Sequence, residues 1–176
     1  MPEKNNFKKM IREGGFSLME VLVAIFIVLT SLVGIMSLLG SINASSSTSS
    51  SRLIAANLAQ EGIEVAKSIR DLNFNVVNGW NDWYDSVTGV SEYLVQYNDI
   101  TFRPWQDVPL KYDAATGLYG YDAGVDTPFA YKRKIILTKN PSGADENEIK
   151  VEAILTWSEH NRPQTLTVED RLWNWR

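Results

Sequence analysis

Gly14-Gly15-Phe16-Ser17-Leu18-Met19-Glu20-Val21-Leu22-Val23-Ala24-Ile25-Phe26-Ile27-Val28-Leu29 opens the run that decides the fold. From Phe16 to Ile42, 19 of 27 side chains are apolar and only Glu20 is charged. About 20 such residues suffice for a helix to cross a bilayer. Before this run, Lys4, Lys8, Lys9 and Arg12 outweigh Glu3 and Glu13, and after it no charge appears until Arg52. A positive segment on the N-terminal side predicts that this end stays in the cytoplasm and that everything after Gly40 faces outwards. The expectation is a single membrane span.

Beyond the span the pattern stays helical. Ser45-Ser46-Ser47-Thr48-Ser49-Ser50-Ser51 follows Ala44 and is low in complexity, compatible with a linker or with a weak stretch of helix. Ile54, Leu58, Gly62, Val65 and Ile69 then recur at steps of three and four, one stripe of an amphipathic helix. No proline lies between Glu3 and Arg103, so nothing interrupts a single helix from about Phe16 to Arg70, which would be roughly 80 Å long.

After Asn73 the texture changes. Of the 19 aromatic residues, 16 lie in the last 103 positions, including every Trp and Tyr, so the core of a globular head belongs there. The runs are short and alternating, which predicts antiparallel strands rather than helices. Ile149, Val151, Ala153, Leu155 and Trp157 point one way, with Lys150, Glu152 and Thr156 opposite. Tyr131 to Thr138 precedes this strand across Asn140-Pro141-Ser142-Gly143, and Gln164 to Glu169 follows it across a turn from Ser158 to Pro163. Glu92 to Tyr97 is a fourth candidate strand, and Trp105 to Pro128 reads as loop. The expected fold is α+β, a long N-terminal helix packed on a small antiparallel sheet. Four segments result: 1–15 a leader, 16–42 the apolar helix, 43–73 the Ser-rich stretch and amphipathic helix, and 74–176 the β head.

Composition excludes several chemistries. The chain has 176 residues, 17 Lys plus Arg against 21 Asp plus Glu, and no Cys. Disulfide scaffolds, Cys-ligated zinc, iron–sulfur clusters and thiol catalysis are therefore ruled out. His160 is the only histidine, which prevents a multi-histidine metal site, and in a hairpin turn it is assigned no role. No nucleotide-binding glycine loop is present, and neither a catalytic residue, a cofactor nor a metal is expected. Lys132-Arg133-Lys134 beside six Trp suggests a platform for single-stranded nucleic acid. Against it stand the head's net charge of −5 and the plainer reading of that triplet as a solvated strand face. Asp113, Asp122 and Asp126 in a Gly-containing loop could ligate Ca²⁺, but their spacing is not that of an EF-hand, and turn capping explains them more simply.

The segment Gly14-Gly15-Phe16-Ser17-Leu18-Met19-Glu20 running into an apolar helix resembles the class III signal of type IV pilins and pseudopilins. Ala55-Ala56-Asn57-Leu58-Ala59-Gln60-Glu61-Gly62-Ile63-Glu64 is similar to the second half of the long helix in minor pilins of that family. The resemblance covers about residues 10–72. It implies cleavage after Gly15 by a prepilin peptidase, N-methylation of Phe16, and assembly through the apolar helix on an inner-membrane platform with other pilin or pseudopilin subunits. The expected localisation is the cytoplasmic membrane, head outside, followed by a pilus or pseudopilus. In this reading the chain is a substrate and building block, not an enzyme. Two family features are missing: a C-terminal disulfide loop, which a Cys-free chain cannot form, and a helix-kinking proline. Both point away from a major subunit.

The residues make physical sense without the family. A carboxylate five residues into an apolar helix is costly in hydrocarbon and demands a cationic partner. Cleavage after Gly15 would create one, the amine of Phe16, four residues from Glu20 on the same or a neighbouring subunit. Gly14-Gly15 suits a peptidase cleft because it is extended and free of side chains. The alternative is a plain, uncleaved signal anchor carrying an extracytoplasmic binding domain, with Glu20 merely snorkelling at the interface.

Overall fold

The computed structural model describes residues 15, 17–74, 79–139, 148–159 and 161–174. The chain divides into two compact units, Met1–Ser46 and Ser47–Arg176. Its elements run α1 (Leu18–Phe74), α2 (Gly79–Ser86), β1 (Val90–Leu94), β2 (Arg103–Pro104), β3 (Lys111–Asp113), β4 (Leu118–Gly120), β5 (Val125–Asp126), β6 (Lys132–Lys139), β7 (Glu148–Glu159) and β8 (Arg162–Trp173). The architecture is α+β, one long N-terminal helix and an antiparallel sheet that the second unit packs against its part of that helix.

α1 is continuous for 57 residues, and the Ser-rich stretch is helical. Serine is a weak helix former because its hydroxyl competes for backbone groups. Here the hydroxyls turn back on the helix instead: Ser41 Oγ donates to the Leu38 carbonyl at 2.8 Å and Ser51 Oγ to that of Thr48 at 3.0 Å. At the far end, Asn73 Nδ2 donates to the Ile69 carbonyl at 2.8 Å and caps an orphan acceptor of the last turn.

In the second unit the buried stripe of α1 is Ser51, Ala55, Leu58, Ala59, Gly62, Ile63, Val65, Ala66 and Ile69. Leu58, Gly62, Val65 and Ile69 sit where the spacing predicts, while Ile54 is only half-buried. The correction comes from small residues: Ala55, Ala59 and Ala66 are fully buried and let the helix approach the sheet. A Cβ on Gly62 would lie 2.9 Å from both Arg133 Cδ and Ile135 Cδ1, so the helix leaves no room there for a side chain.

The main sheet has the order β2-β1-β6-β7-β8, each neighbour antiparallel. The alternation in β7 holds: Ile149, Val151, Ala153, Leu155 and Trp157 are all buried. Each such aliphatic side chain contributes about 1.5–3 kcal/mol. β1 pairs with β6 through Glu92↔Ile136 and Tyr93↔Ile135, so the fourth expected strand exists, displaced toward Val90. The turn expected from Ser158 to Pro163 is tighter than the sequence suggests. β7 continues to Glu159, β8 starts at Arg162, and Asn161 takes a left-handed φ of 60°. His160 and the segment Asn140-Pro141-Ser142-Gly143 lie outside the described residues.

Two expectations are overturned. The head is not free of helix, because Gly79–Ser86 forms α2. Trp80, Trp83 and Val87 recur at three and four residues and are buried together, with the two indoles 5.3 Å apart; eight residues are too few for that period to stand out in the sequence. The supposed loop from Trp105 to Pro128 holds a second sheet of order β4-β3-β5. Its strands are two and three residues long, and glycine is required at its last turn: Gly124 has φ 104°, and a Cβ there would meet the Tyr112 carbonyl at 2.6 Å.

Candidate functional site

The first unit is built around exposed apolar surface. Every large apolar side chain from Leu18 to Ile42 faces outwards, on all sides of the helix. A helix apolar all round belongs in hydrocarbon or among other helices. Among the described residues α1 is the one helix long and apolar enough to cross a membrane.

Its beginning is set by Ser17. The Ser17 carbonyl accepts the N–H groups of Glu20 at 2.9 Å and Val21 at 3.2 Å, which starts the helix. Ser17-Leu18-Met19-Glu20 thereby has the spacing of a capping box, in which an acid at the third helical position serves the helix N-terminus. This local role for Glu20 competes with the pairing role suggested by its isolation. Gly15 is exposed and non-helical, with nothing within 4 Å of a Cβ built on it. Glu20 is exposed in the first turn. The structure thus presents a bare glycine and a lone acid on the same accessible end. Phe16, Gly14 and the cations Lys4, Lys8, Lys9 and Arg12 lie outside the described residues.

In the head, the basic triplet is not one solvated face. Lys132 Nζ pairs with Asp107 at 2.9 Å, and Lys134 Nζ pairs with Glu92 at 3.0 Å while lying 4.8 Å from the centre of the Trp105 ring. Arg133 points inward and is fully buried. It donates to the carbonyls of Leu58 and Val95 at 2.7 Å each and to Glu61 Oε1 at 2.9 Å. One residue of β6 thereby ties α1 to the segment that leaves β1. The period-two run Tyr131, Ile135, Leu137 places Arg133 on the buried face, and that parity was the available signal.

The three loop aspartates do separate jobs. Asp113 caps its own turn, accepting from Ala115 N at 2.9 Å and Thr116 Oγ1 at 3.0 Å. Asp122 joins a network with Arg103, Asp99 and Gln96. Arg103 donates to Asp122 at 2.8 Å and 3.0 Å and to Asp99 at 2.7 Å, and Gln96 Nε2 donates to Asp122 at 2.6 Å. The network fastens the segment after β4 to β2 and to the segment between β1 and β2. It also borders a groove of about 650 Å³ lined by Leu94, Pro104, Val108, Lys111, Tyr121 and Asp126 among others. Among the described residues no group of three or more Asp, Glu or His side chains could hold a metal ion.

Arg103, then Gln96, hold the Asp122 carboxyl at about 2, below its ordinary 3.8. A carboxylate depressed on folding contributes stability above its unfolded value and loses it as pH falls through the folded one. The head therefore loses thermal stability between pH 3.8 and about 2, and Asp122→Asn flattens that part of the profile. Melting followed at intervals across this window checks it, and identical slopes in the two proteins would refute the link.

No model of a known protein family, no curated protein and no solved structure matches this chain. The functional reading therefore rests on the residues themselves.

Proposed function

We propose that the chain is a structural subunit resembling a minor pilin or pseudopilin, cleaved between Gly15 and Phe16, methylated on Phe16 and assembled through its N-terminal helix. The observation that carries this reading is Glu20, the single charge in an apolar helix exposed on every side, placed behind a bare glycine pair. In the membrane, the apolar residues of α1 contact lipid. In an assembly, the same residues contact neighbouring helices, and the amine of Phe16 supplies the cation that Glu20 requires. Prepilin peptidase, an inner-membrane platform and other subunits of the same kind are the partners that this chemistry demands.

The test is the intact mass and N-terminal peptide of the protein taken from native membranes and from a sheared-fibre fraction. The expected product starts at Phe16, has 161 residues and carries one added methyl group. A chain retaining Met1 to Gly15 in membranes with active peptidase would instead establish an uncleaved anchor, and the function would move to the head and its groove.

A further inference from the structure

The groove of about 650 Å³ lies between the main sheet, at Leu94 and Pro104, and the second sheet, at Lys111 and Asp126. Small-molecule sites span about 300–1,000 Å³, so the volume is that of a binding pocket rather than a packing defect. Its apolar lining is Leu94, Pro104, Val108 and Pro109, and neither proline has an N–H to offer. Most of its polar lining is already engaged. Arg103 donates through Nε and both Nη atoms to Asp99 and Asp122, and Asp122 accepts on both oxygens. Tyr121 donates its hydroxyl to the Arg133 carbonyl at 3.2 Å. These groups give the groove its shape and leave little binding capacity of their own.

Two opposite charges remain. Lys111 and Asp126 are direct partners in the β3–β5 register, and both line the groove. Opposite charges in that cross-strand relation ordinarily pair. Here neither makes a hydrogen bond or ion pair with the other or with any other described residue, although Lys111 is half-buried. Lys111 acts on the Asp122 carboxyl through space, but Arg103 and Gln96 already occupy that carboxylate. The other open polar side chain of the lining among the described residues is Gln106, which carries no charge.

The groove thus offers one unmet cation and one unmet anion on adjacent strands, beside an apolar wall. We propose that it binds a small zwitterion with an apolar side chain, an amino acid or a di- or tripeptide, its carboxylate on Lys111 Nζ and its ammonium on the Asp126 carboxylate. A ligand of one sign would bring its charge against Asp126 or against Lys111, and an internal stretch of a polypeptide brings neither terminus. Each added residue moves the termini apart by about 3.3–3.6 Å, so the length that binds best reads the spacing of the two charges.

Calorimetric titration of the full chain in detergent with leucine, Leu-Leu and Leu-Leu-Leu is the test. One member of the series saturates the protein, and acetylating its amine or amidating its carboxylate each weakens binding by about tenfold or more. Lys111→Met removes the difference between free and amidated carboxylate, and Asp126→Asn the difference between free and acetylated amine. A purely structural role for either residue would weaken all probes alike. No saturation by any of the three at about 10 mM overturns the proposal, as does binding that is indifferent to blocking both ends. The blocked ligands on the unaltered chain decide the question even where a variant fails to fold. None of these readouts depends on cleavage at Gly15, so the groove and the N-terminal mass can fail separately.

Discussion

Glu20→Gln leaves the chain membrane-inserted, helical from Leu18 onward and cleaved after Gly15, but lowers its recovery in the sheared-fibre fraction by about 100-fold. Glutamine separates the two roles open to this side chain. It can still complete a capping box with Ser17, and the N–H groups of Glu20 and Val21 still bond the Ser17 carbonyl. What it lacks is charge. If Glu20 pairs with the terminal amine of a neighbour inside a core of apolar helices, glutamine strands an ammonium without its counter-ion, and breaking a buried pair costs about 3–5 kcal/mol. At about 1.4 kcal/mol per factor of ten, this amounts to at least 100-fold in assembly. The loss of a helix cap would cost about 1 kcal/mol and would spare glutamine. Equal recovery of variant and wild type would therefore remove the pairing mechanism and leave Glu20 as a cap. The comparison is quantitative blotting of both proteins in membrane and sheared fractions, with the N-terminal mass of each as control.

How much of this was readable in advance depends on whether the property is one-dimensional. The apolar run with its single acid is a fact about order along the chain, and so is the alternation of Ile149, Val151, Ala153, Leu155 and Trp157; both appear in the structure as written. The stripe on α1 is legible from its spacing, but the neighbouring Ala55, Ala59 and Ala66, which are fully buried beside it, fall outside the row of Ile54, Leu58, Gly62, Val65 and Ile69. The Lys-Arg-Lys triplet suggests solvent for Arg133, whereas the parity of its own strand points it inward. The Arg103–Asp122–Gln96 network left no trace in the sequence, since its members are 19 and 26 residues apart and meet only when the second sheet folds back. That sheet escaped notice because its strands are too short to show a period. Of the candidate site, Gly15 and Glu20 stand exposed at the start of α1, and cleavage after Gly15 is decided by the N-terminal mass.

Arg133→Ala lowers the melting temperature of the head by on the order of 15 °C, the largest effect expected from any single substitution in the second unit. The guanidinium is wholly enclosed and donates to two backbone carbonyls and one carboxylate, two of these acceptors on α1 and one just after β1. Removing it leaves the Val95 carbonyl without its partner and opens a cavity between α1 and the sheet, together about 4 kcal/mol. At a few degrees per kcal/mol for a domain of this size, the shift follows. Arg133→Met isolates the polar part: the stem is replaced and the cavity mostly filled, Glu61 is part-exposed and can turn to water, and only the unpaired Val95 carbonyl remains, about 1–3 kcal/mol. The contact with Gly62 gives an independent check. Gly62→Ala gains about 1 kcal/mol of helix propensity and loses about 1–3 kcal/mol to its clash with Arg133 Cδ and Ile135 Cδ1. In the Arg133→Ala background the first of those clashes is gone. The two substitutions should therefore be non-additive, the double variant being more stable than the sum of the singles by about 1 kcal/mol. Melting curves followed by the fluorescence of the buried Trp80, Trp83 and Trp157 measure all four corners of that cycle, and strict additivity would mean that Gly62 and Arg133 do not share the contact that holds α1 on the sheet.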